Sequence, residues 1–415
     1  MKKIKIGVVG CGGICKATYM ENLVNRFAIT EVIGCYDLLE YRMDYMVKKY
    51  GIKKYGSLEE ICSDPNIDVI CNLTFPEAHV LVSKTAMEHG KHVYCEKMMA
   101  PTFEDAKMLM TLAAEKGVLY TTAPDTFLGG WEQSARKYLD EGIIGKPVTV
   151  HAQITNHYQP DSPFFDLTPN HYFFPLHYGG GLPFDLGGYY IHEMINLFGS
   201  VVRVCGFGGN MDPHRKLLNP KHPHYGEPFE VNTPTTLLAS LEFENGVLGT
   251  LHISSDSSAS HSFVVTGTDG TFYLGDPNLF CDEISVMRRG AHPEMTRIRP
   301  GQQPVTQAAA AEADPDRQQL AEPVASQRVV LPLLHGFYAM SCRGVGLADM
   351  CYALCNGRRP RCHADIGFHA IEIIHGILES CRTRIYYEMT TRCERPAMLR
   401  PSALSDTAQE AVLDD

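Results

Sequence analysis

Three clusters in this 415-residue sequence hold residue types that can do chemistry, at spacings that suit it. Glu96-Lys97 follows residues 92–95, a short apolar run that reads as a buried strand entered just after the helix terminator Gly90. In an open α/β sheet, ligands sit at the carboxyl ends of the strands, and a Lys beside a Glu there is equipped for proton transfer. Taken alone, the pair reads better as a surface ion pair; its neighbours reverse that reading. Asp185 and Tyr189 close a Gly-rich run that begins at Gly179, and a spacing of four puts a carboxylate and a phenol on one face if the helix inferred for 191–198 begins that early. Gly10-Cys11-Gly12-Gly13-Ile14 separates the apolar run 4–9 from a helical pattern over 17–24. Strand, Gly-rich turn and helix together form the context of a dinucleotide fingerprint. Gly10 permits the tight turn, Gly12 lets the backbone approach a pyrophosphate, and the helix N-terminus offers free N–H groups. The third fingerprint position is Cys15 instead of Gly or Ala. Asp37 ends a second strand, 29–36, 25 residues past Gly12. An acid there accepts hydrogen bonds from adenosine ribose hydroxyls and repels a 2′-phosphate. Leu38 and Leu39 bring no cation beside it, so NAD is expected over NADP, with Arg42 the residue that argues the other way.

The elements that must position these groups fall into two sets. Over residues 1–124, six strands alternate with helices, the pattern of a parallel, doubly wound Rossmann sheet. Its markers include a capping box at Ser57-Leu58-Glu59-Glu60, Pro76 in a first helical turn, and a helix over 102–116 that stops at Gly117. From 125 the rhythm changes to a helix over 130–141, a strand over 148–158, a loop over 159–178 rich in Pro, His and aromatics, and the helix 191–198. Strand-like runs follow at 201–207, 235–243, 247–254, 263–268 and 271–274, with hairpin turns at Glu244-Asn245-Gly246 and Thr268-Asp269-Gly270. Residues 125–393 therefore read as an α+β domain with a large, mostly antiparallel open sheet, serving substrate binding and subunit contact. Helices are expected at 340–354 and 368–382, a flexible Ala-, Gln- and Pro-rich insertion at 302–327, and a loose tail at 394–415.

Composition narrows the partners. A formal net charge of −11 argues against nucleic acid, and no stretch is long and apolar enough for a bilayer. Residues 1–15 mimic a short signal peptide, but they are Gly-rich and lack a small-x-small cleavage site. Fourteen cysteines without a CxxC pair read as reduced, mostly buried thiols of a cytoplasmic enzyme. His157, His171, His177 and the pair His222/His224 lack metal-ligand spacing, so no metal is expected.

The Gly10-Cys11-Gly12-Gly13-Ile14 turn, the block Gly90-Lys91-His92-Val93…Glu96-Lys97 and the Gly-rich run ending in Asp185…Tyr189 resemble the glucose–fructose oxidoreductase/inositol dehydrogenase (Gfo/Idh/MocA) family over nearly the whole chain. Members usually carry Pro, often after a cis bond, following the Glu-Lys pair; Met98 stands here. The resemblance implies a catalytic set of Lys97, Asp185 and Tyr189, the last as in the glucose–fructose oxidoreductase branch, where inositol-type members have His. It implies that Glu96 and Lys97 face the nicotinamide ribose, that Thr74, Pro76 and His79 line the cofactor channel, and that the protein is a homodimer or homotetramer. Lys97 desolvated beside NAD⁺ should have a lowered pKa, and either Lys97 or Tyr189 serves as base while Asp185 tunes Lys97 or binds a sugar hydroxyl. His171, Tyr172 and His177, in the loop feeding the Gly run, are candidate substrate contacts; His192 is either a pocket residue or a satisfied core histidine. The expected activity is NAD-dependent oxidation of a secondary hydroxyl of a sugar, glycoside or cyclitol. A redox-neutral glycosidase, using His192 or His177 as an extra base, and a non-catalytic sugar or dinucleotide sensor are the alternatives.

Overall fold

The computed structural model describes residues 2–156, 181–221, 224–231, 233–288, 328–335, 342–400 and 413. The insertion expected at 302–327, the candidate contacts His171, Tyr172 and His177, and His157 and His222 of the rejected metal set all lie outside the described residues.

Strands β1 (Ile4–Val9), β2 (Thr30–Tyr36), β3 (Lys53–Lys54), β4 (Val69–Asn72), β5 (His92–Cys95) and β6 (Tyr120–Thr122) form one parallel sheet in the order β3-β2-β1-β4-β5-β6. The central strands are buried on both faces, as their unbroken apolar runs require. The chain winds from β1 outward to β3 and then crosses back to β4, which leaves a crevice beyond the carboxyl ends of β1 and β4. Helices α1 (Met20–Asn25), α2 (Glu40–Tyr50), α3 (Leu58–Ser63), α4 (Pro76–Glu88) and α5 (Phe103–Lys116) make the crossovers. Their ends follow local chemistry. Ser57 and Thr102 accept the Glu60 and Asp105 N–H groups at 3.0 Å as N-caps, and left-handed Gly51 and Gly117 close α2 and α5. The helix expected at 17–24 instead opens on a π-helical turn, Cys15–Tyr19, before α1. That wider turn falls where the third fingerprint position carries a thiol.

After α6 (Gly130–Asp140) and β7 (Pro147–Thr155), a short helix α7 (Leu182–Asp185) runs into α8 (Gly187–Phe198), then β8 (Val201–Gly209), the hairpin β9 (His214–Lys216) and β10 (Pro228–Glu230), β11 (Thr236–Phe243), β12 (Leu248–Ser254), β13 (Ser260–Gly267), β14 (Gly270–Leu274), β15 (Ser285–Arg288), β16 (Val329–Val330), α9 (Val345–Asn356), α10 (Ala364–Thr383) and β17 (Tyr387–Glu388). Nine strands form the second sheet in the order β16-β15-β14-β13-β7-β12-β11-β8-β17, antiparallel except where β7 meets β12. Alternation puts Leu237, Ala239, Leu241 and Phe243 of β11 into the core while Leu238 faces outward, directly opposite exposed Phe207 of β8.

Two features depart from the sequence reading. The C-terminal helices do not serve the second sheet alone: α10 covers β8 and also returns to the first sheet, with Phe368 stacked on Phe103 at 5.1 Å and Thr122 N–H donating to Cys362 at 3.2 Å. The tail expected to be loose from 394 is tied down as far as 400, because Leu399 is buried with its N–H on Gln133 and Arg395 donates to Asp140 at 2.8 Å. Residues 401–412 lie outside the described residues.

Glu132 of α6 and Glu193 of α8 are both fully buried, and neither oxygen of Glu132 has a hydrogen-bond partner among the described residues. Burial, with the Glu193 charge adding to it, pushes the Glu132 carboxyl well above the ordinary glutamate value. A raised folded-state pKa means that folding takes up a proton. Its stability contribution is complete below the unfolded value and is lost as pH rises toward the folded one. We expect Glu132→Gln to leave thermal stability near wild type at about pH 4 and to exceed it by about 1 kcal/mol or more at about pH 8. A melting-temperature difference that does not grow with pH would remove the buried-proton account.

Candidate functional site

The cofactor half of the site is built by the loops leaving β1, β2 and β4. Gly10 has φ +93°, and a Cβ there would meet the Leu73 carbonyl carbon and oxygen at 2.6 Å, so both conformation and space require glycine. At Gly12 a Cβ would find only Arg42 Nη1, at 3.8 Å, which leaves the crest of the turn open above the helix N-terminus. Asp37 locks this turn: its Oδ2 accepts Cys11 N–H at 2.7 Å, its Oδ1 accepts Leu39 N–H at 2.8 Å, and Arg42 stands 3.7 Å away. Each carboxylate oxygen keeps a second lone pair, enough to receive ribose hydroxyls. Open crest, exposed turn N–H groups and an acid at the end of β2 fit a dinucleotide.

On the β4 side, Asn72 is a residue the sequence reading missed. It is fully buried, holds the Thr74 hydroxyl at 2.6 Å, and donates to Ser83 and to His79 O at 3.1 Å each. The available signal was a polar residue ending an apolar strand. Thr74 and Pro76 lie at the crevice entry to α4, but His79 is set behind its wall, fully buried. Its Nδ1 and Nε2 face the carbonyls of Met98 at 2.7 Å and Thr74 at 3.1 Å. Burial pulls His79 below the ordinary histidine value, so the neutral ring has one N–H, which it gives to one of these carbonyls at a time, and it packs beneath the Lys97 loop with no face on the crevice.

The reactive half assembles at the end of β5. Glu96 is held by Tyr19 Oη at 2.6 Å and by Lys97 N–H at 2.9 Å, and the Lys97–Met98 peptide is cis. Lys97 Nζ pairs with Asp185 and lies 5.2 Å from the centroid of the Tyr189 ring. Asp185 and Tyr189 do not share one helix as the spacing suggested. Asp185 ends α7 and Tyr189 sits in the first turn of α8, the two helices meeting at Leu186. The loop at 97–98 is packed so closely on α8 that a Cβ at Gly188 would lie 3.0 Å from Met98 Sδ. The lowering of the Lys97 pKa expected beside NAD⁺ is opposed by the charges of the protein itself. Burial does pull it down, but the Asp185 carboxylate, with Tyr189 and Glu96, outweighs burial and raises it, so Lys97 stays an ammonium. Burial pushes the Tyr189 phenol up, opposed first by Arg343 and then by Lys97.

Arg343, which no local pattern marked, brings its guanidinium to 4.9 Å from the same ring. His192 is not a fully satisfied histidine, since its Nε2 has no hydrogen-bond partner among the described residues. It is buried, its Nδ1 is on Gly188 O at 2.8 Å, and burial pushes its pKa down to about 4. All fourteen cysteines are free thiols, most of them buried, and no cluster able to hold a metal occurs among the described residues. No helix of the described residues is long and apolar enough to cross a membrane.

Comparison with known proteins follows the same two halves. Residues 4–123 match the Gfo/Idh/MocA profile described as an oxidoreductase family with an NAD-binding Rossmann fold, and residues 133–273 match the Gfo/Idh/MocA C-terminal domain. An uncharacterized oxidoreductase of Schizosaccharomyces pombe is 28% identical over 205 residues, 48% of this chain and 53% of that protein. The chain thus spans about half the length of the first curated relatives it matches. The scyllo-inositol 2-dehydrogenase (NAD(+)) of Bacillus subtilis is 24% identical over 277 residues, 66% of this chain and 74% of that one. Among solved structures, apo levoglucosan dehydrogenase superposes with a TM-score of 0.72 at 18% identity, covering 94% of this chain and 100% of that one, a likeness of fold.

Because Gly10 has neither the φ nor the space for a side chain, Gly10→Ala should weaken NADH binding by about tenfold or more, reflecting strain on the order of 1–3 kcal/mol. Fluorescence titration with NADH measures it, and unchanged affinity in a folded variant would show that the β1 turn does not hold the dinucleotide.

Proposed function

The chain belongs to the Gfo/Idh/MocA oxidoreductase family, and on that premise we propose that it is an NAD-dependent dehydrogenase oxidising a secondary hydroxyl of a sugar, glycoside or cyclitol to a ketone. The observation that carries the proposal is the grouping of Lys97, Asp185 and Tyr189 at the carboxyl end of β5, beside the dinucleotide crevice. Lys97, kept as an ammonium by Asp185, is suited to hydrogen-bond the reacting oxygen and stabilise it as alkoxide character develops. Lys97 therefore has no lone pair to accept the hydroxyl proton, and that task falls to Tyr189 in its phenolate form, which the Arg343 and Lys97 charges favour against burial. NAD, when bound, supplies the hydride acceptor. Asp37 favours NAD over NADP, since it would repel a 2′-phosphate and Arg42 is already engaged with it. A carbohydrate-like substrate accords with the names of the inositol and levoglucosan dehydrogenases above. Redox-neutral elimination would need one more base, for which His192 is buried with its Nδ1 on Gly188 O and His177 lies outside the described residues.

The test mixes enzyme and NAD⁺ with free sugars, cyclitols and glycosides, following NADH absorbance and product mass. NADH accumulating with a product two hydrogens lighter supports the proposal, and Lys97→Ala should then lower kcat by about 10²-fold or more. Release of a glycoside's leaving group without NADH would replace it with the redox-neutral reading. Dinucleotide binding with no turnover on any compound would favour the sensor. We place the homo-oligomer contact on the open face of the large sheet, around the exposed pair Phe207 and Leu238. Phe207→Asp should convert the oligomer to monomer in light scattering, and an unchanged mass would move the contact elsewhere.

A further inference from the structure

Arg343 lies in the return segment just before α9, yet its side chain reaches Tyr189 in the first turn of α8. Its backbone is held from several sides. Asn22 donates to Arg343 O at 2.9 Å, and the N–H groups of Gly344 and Gly346 donate to Asp125 Oδ2 at 2.8 and 3.1 Å. Its Nη2 donates to Asn278 Oδ1 at 2.9 Å, while Nη1 is buried with no hydrogen-bond partner among the described residues. The guanidinium forms no ion pair among the described residues. The Glu96 and Asp125 carboxylates offset through space part of the cost of burying this cation, and a group that acts on it more strongly once it turns negative offsets more of it. Tyr189 is that group. The charged and titratable groups facing it are Lys97 and Glu96 from the end of β5, Asp185 from α7, and Arg343 from the return segment. Asp185 is engaged by Lys97 and Glu96 by Tyr19, whereas the two cations lie 5.2 and 4.9 Å from the Tyr189 ring.

We propose that Arg343 is a positioning residue for proton transfer, one that together with Lys97 stabilises Tyr189 as phenolate and so makes the tyrosine, rather than the lysine, the base. The proposal rests on the dehydrogenase reading above. As the carbinol carbon gives its hydride to NAD⁺, the hydroxyl proton passes to the Tyr189 phenolate, and Arg343 never touches the reacting atoms.

The test is the pH dependence of kcat/KM for alcohol oxidation, together with the tyrosinate absorbance that wild type gains over Tyr189→Phe, which needs no substrate. In Arg343→Gln both ionisations should move to higher pH by about one unit or more, with about tenfold lower kcat/KM below that limb and unchanged NADH affinity. Arg343→Lys, which keeps the charge, should bring the limb most of the way back. Should Arg343→Gln fail to fold, Asn278→Ala, which releases the guanidinium without removing it, should move the limb in the same direction by less. A limb that stays in place in a folded Arg343→Gln, or in Asn278→Ala, while Tyr189→Phe abolishes it, would overturn the role of Arg343 and leave the dehydrogenase reading intact. A limb that survives in Tyr189→Phe would overturn the assignment of Tyr189 itself.

Discussion

The ion pair between Lys97 and Asp185 is the contact on which the rest of the site depends. It joins residues 88 apart in sequence, one at the end of a Rossmann strand and the other at the α7–α8 turn. Each side chain is largely withdrawn from water, so each is costly without the other. The pairing raises the affinity of Lys97 for its proton, against the pull of burial. A lysine beside NAD⁺ alone would lose affinity for its proton, but a lysine on a carboxylate keeps it.

Around this pair the structure spends much of its buried polarity on holding backbone still. His79 sits between the carbonyls of Thr74 and Met98, and Asn72 ties Thr74 to α4. Tyr19 fixes Glu96 and stands 3.4 Å from the hydroxyl of Tyr94, whose own proton goes to Asp125 at 3.1 Å. Asp125 in turn receives the N–H groups of Gly344 and Gly346. A chain of polar contacts therefore runs from the reactive loop to the segment that carries Arg343, and both ends are anchored to strands of the first sheet. Breaking one member of such a chain strands the others in a low dielectric, which holds the site in place.

The sequence reading and the structure part company where a residue's role depends on distant neighbours. His79 carries the type and position of a channel residue, yet both ring nitrogens face carbonyls on two loops. Residues 394–400 have no periodicity, so nothing local marks them as held; Gln133, Asp140 and Asn196 on two packed helices hold them. The helix carrying Tyr189 begins at Gly187, ahead of the apolar spacing that starts at Ile191. Its first turn is small and aromatic, and only burial against Met98 and Ile253 makes those glycines helical positions.

What the sequence determined by itself is whatever is encoded within a few residues. The apolar runs of β1, β4 and β5 specify a doubly covered parallel sheet, and Gly10, Gly12 and Asp37 specify a dinucleotide turn at its switch point. The blocks at Glu96-Lys97 and Asp185…Tyr189 carry the family. These are matters of periodicity, turn conformation and side-chain type, and they survive being read in a line. The tertiary structure alone decided the partner of each charge: Asp185 for Lys97, Tyr19 for Glu96, and the approach of Arg343 to Tyr189. Charges interact through space with a strength set by separation and burial, and neither quantity exists until the two sheets and the returning helices have packed together.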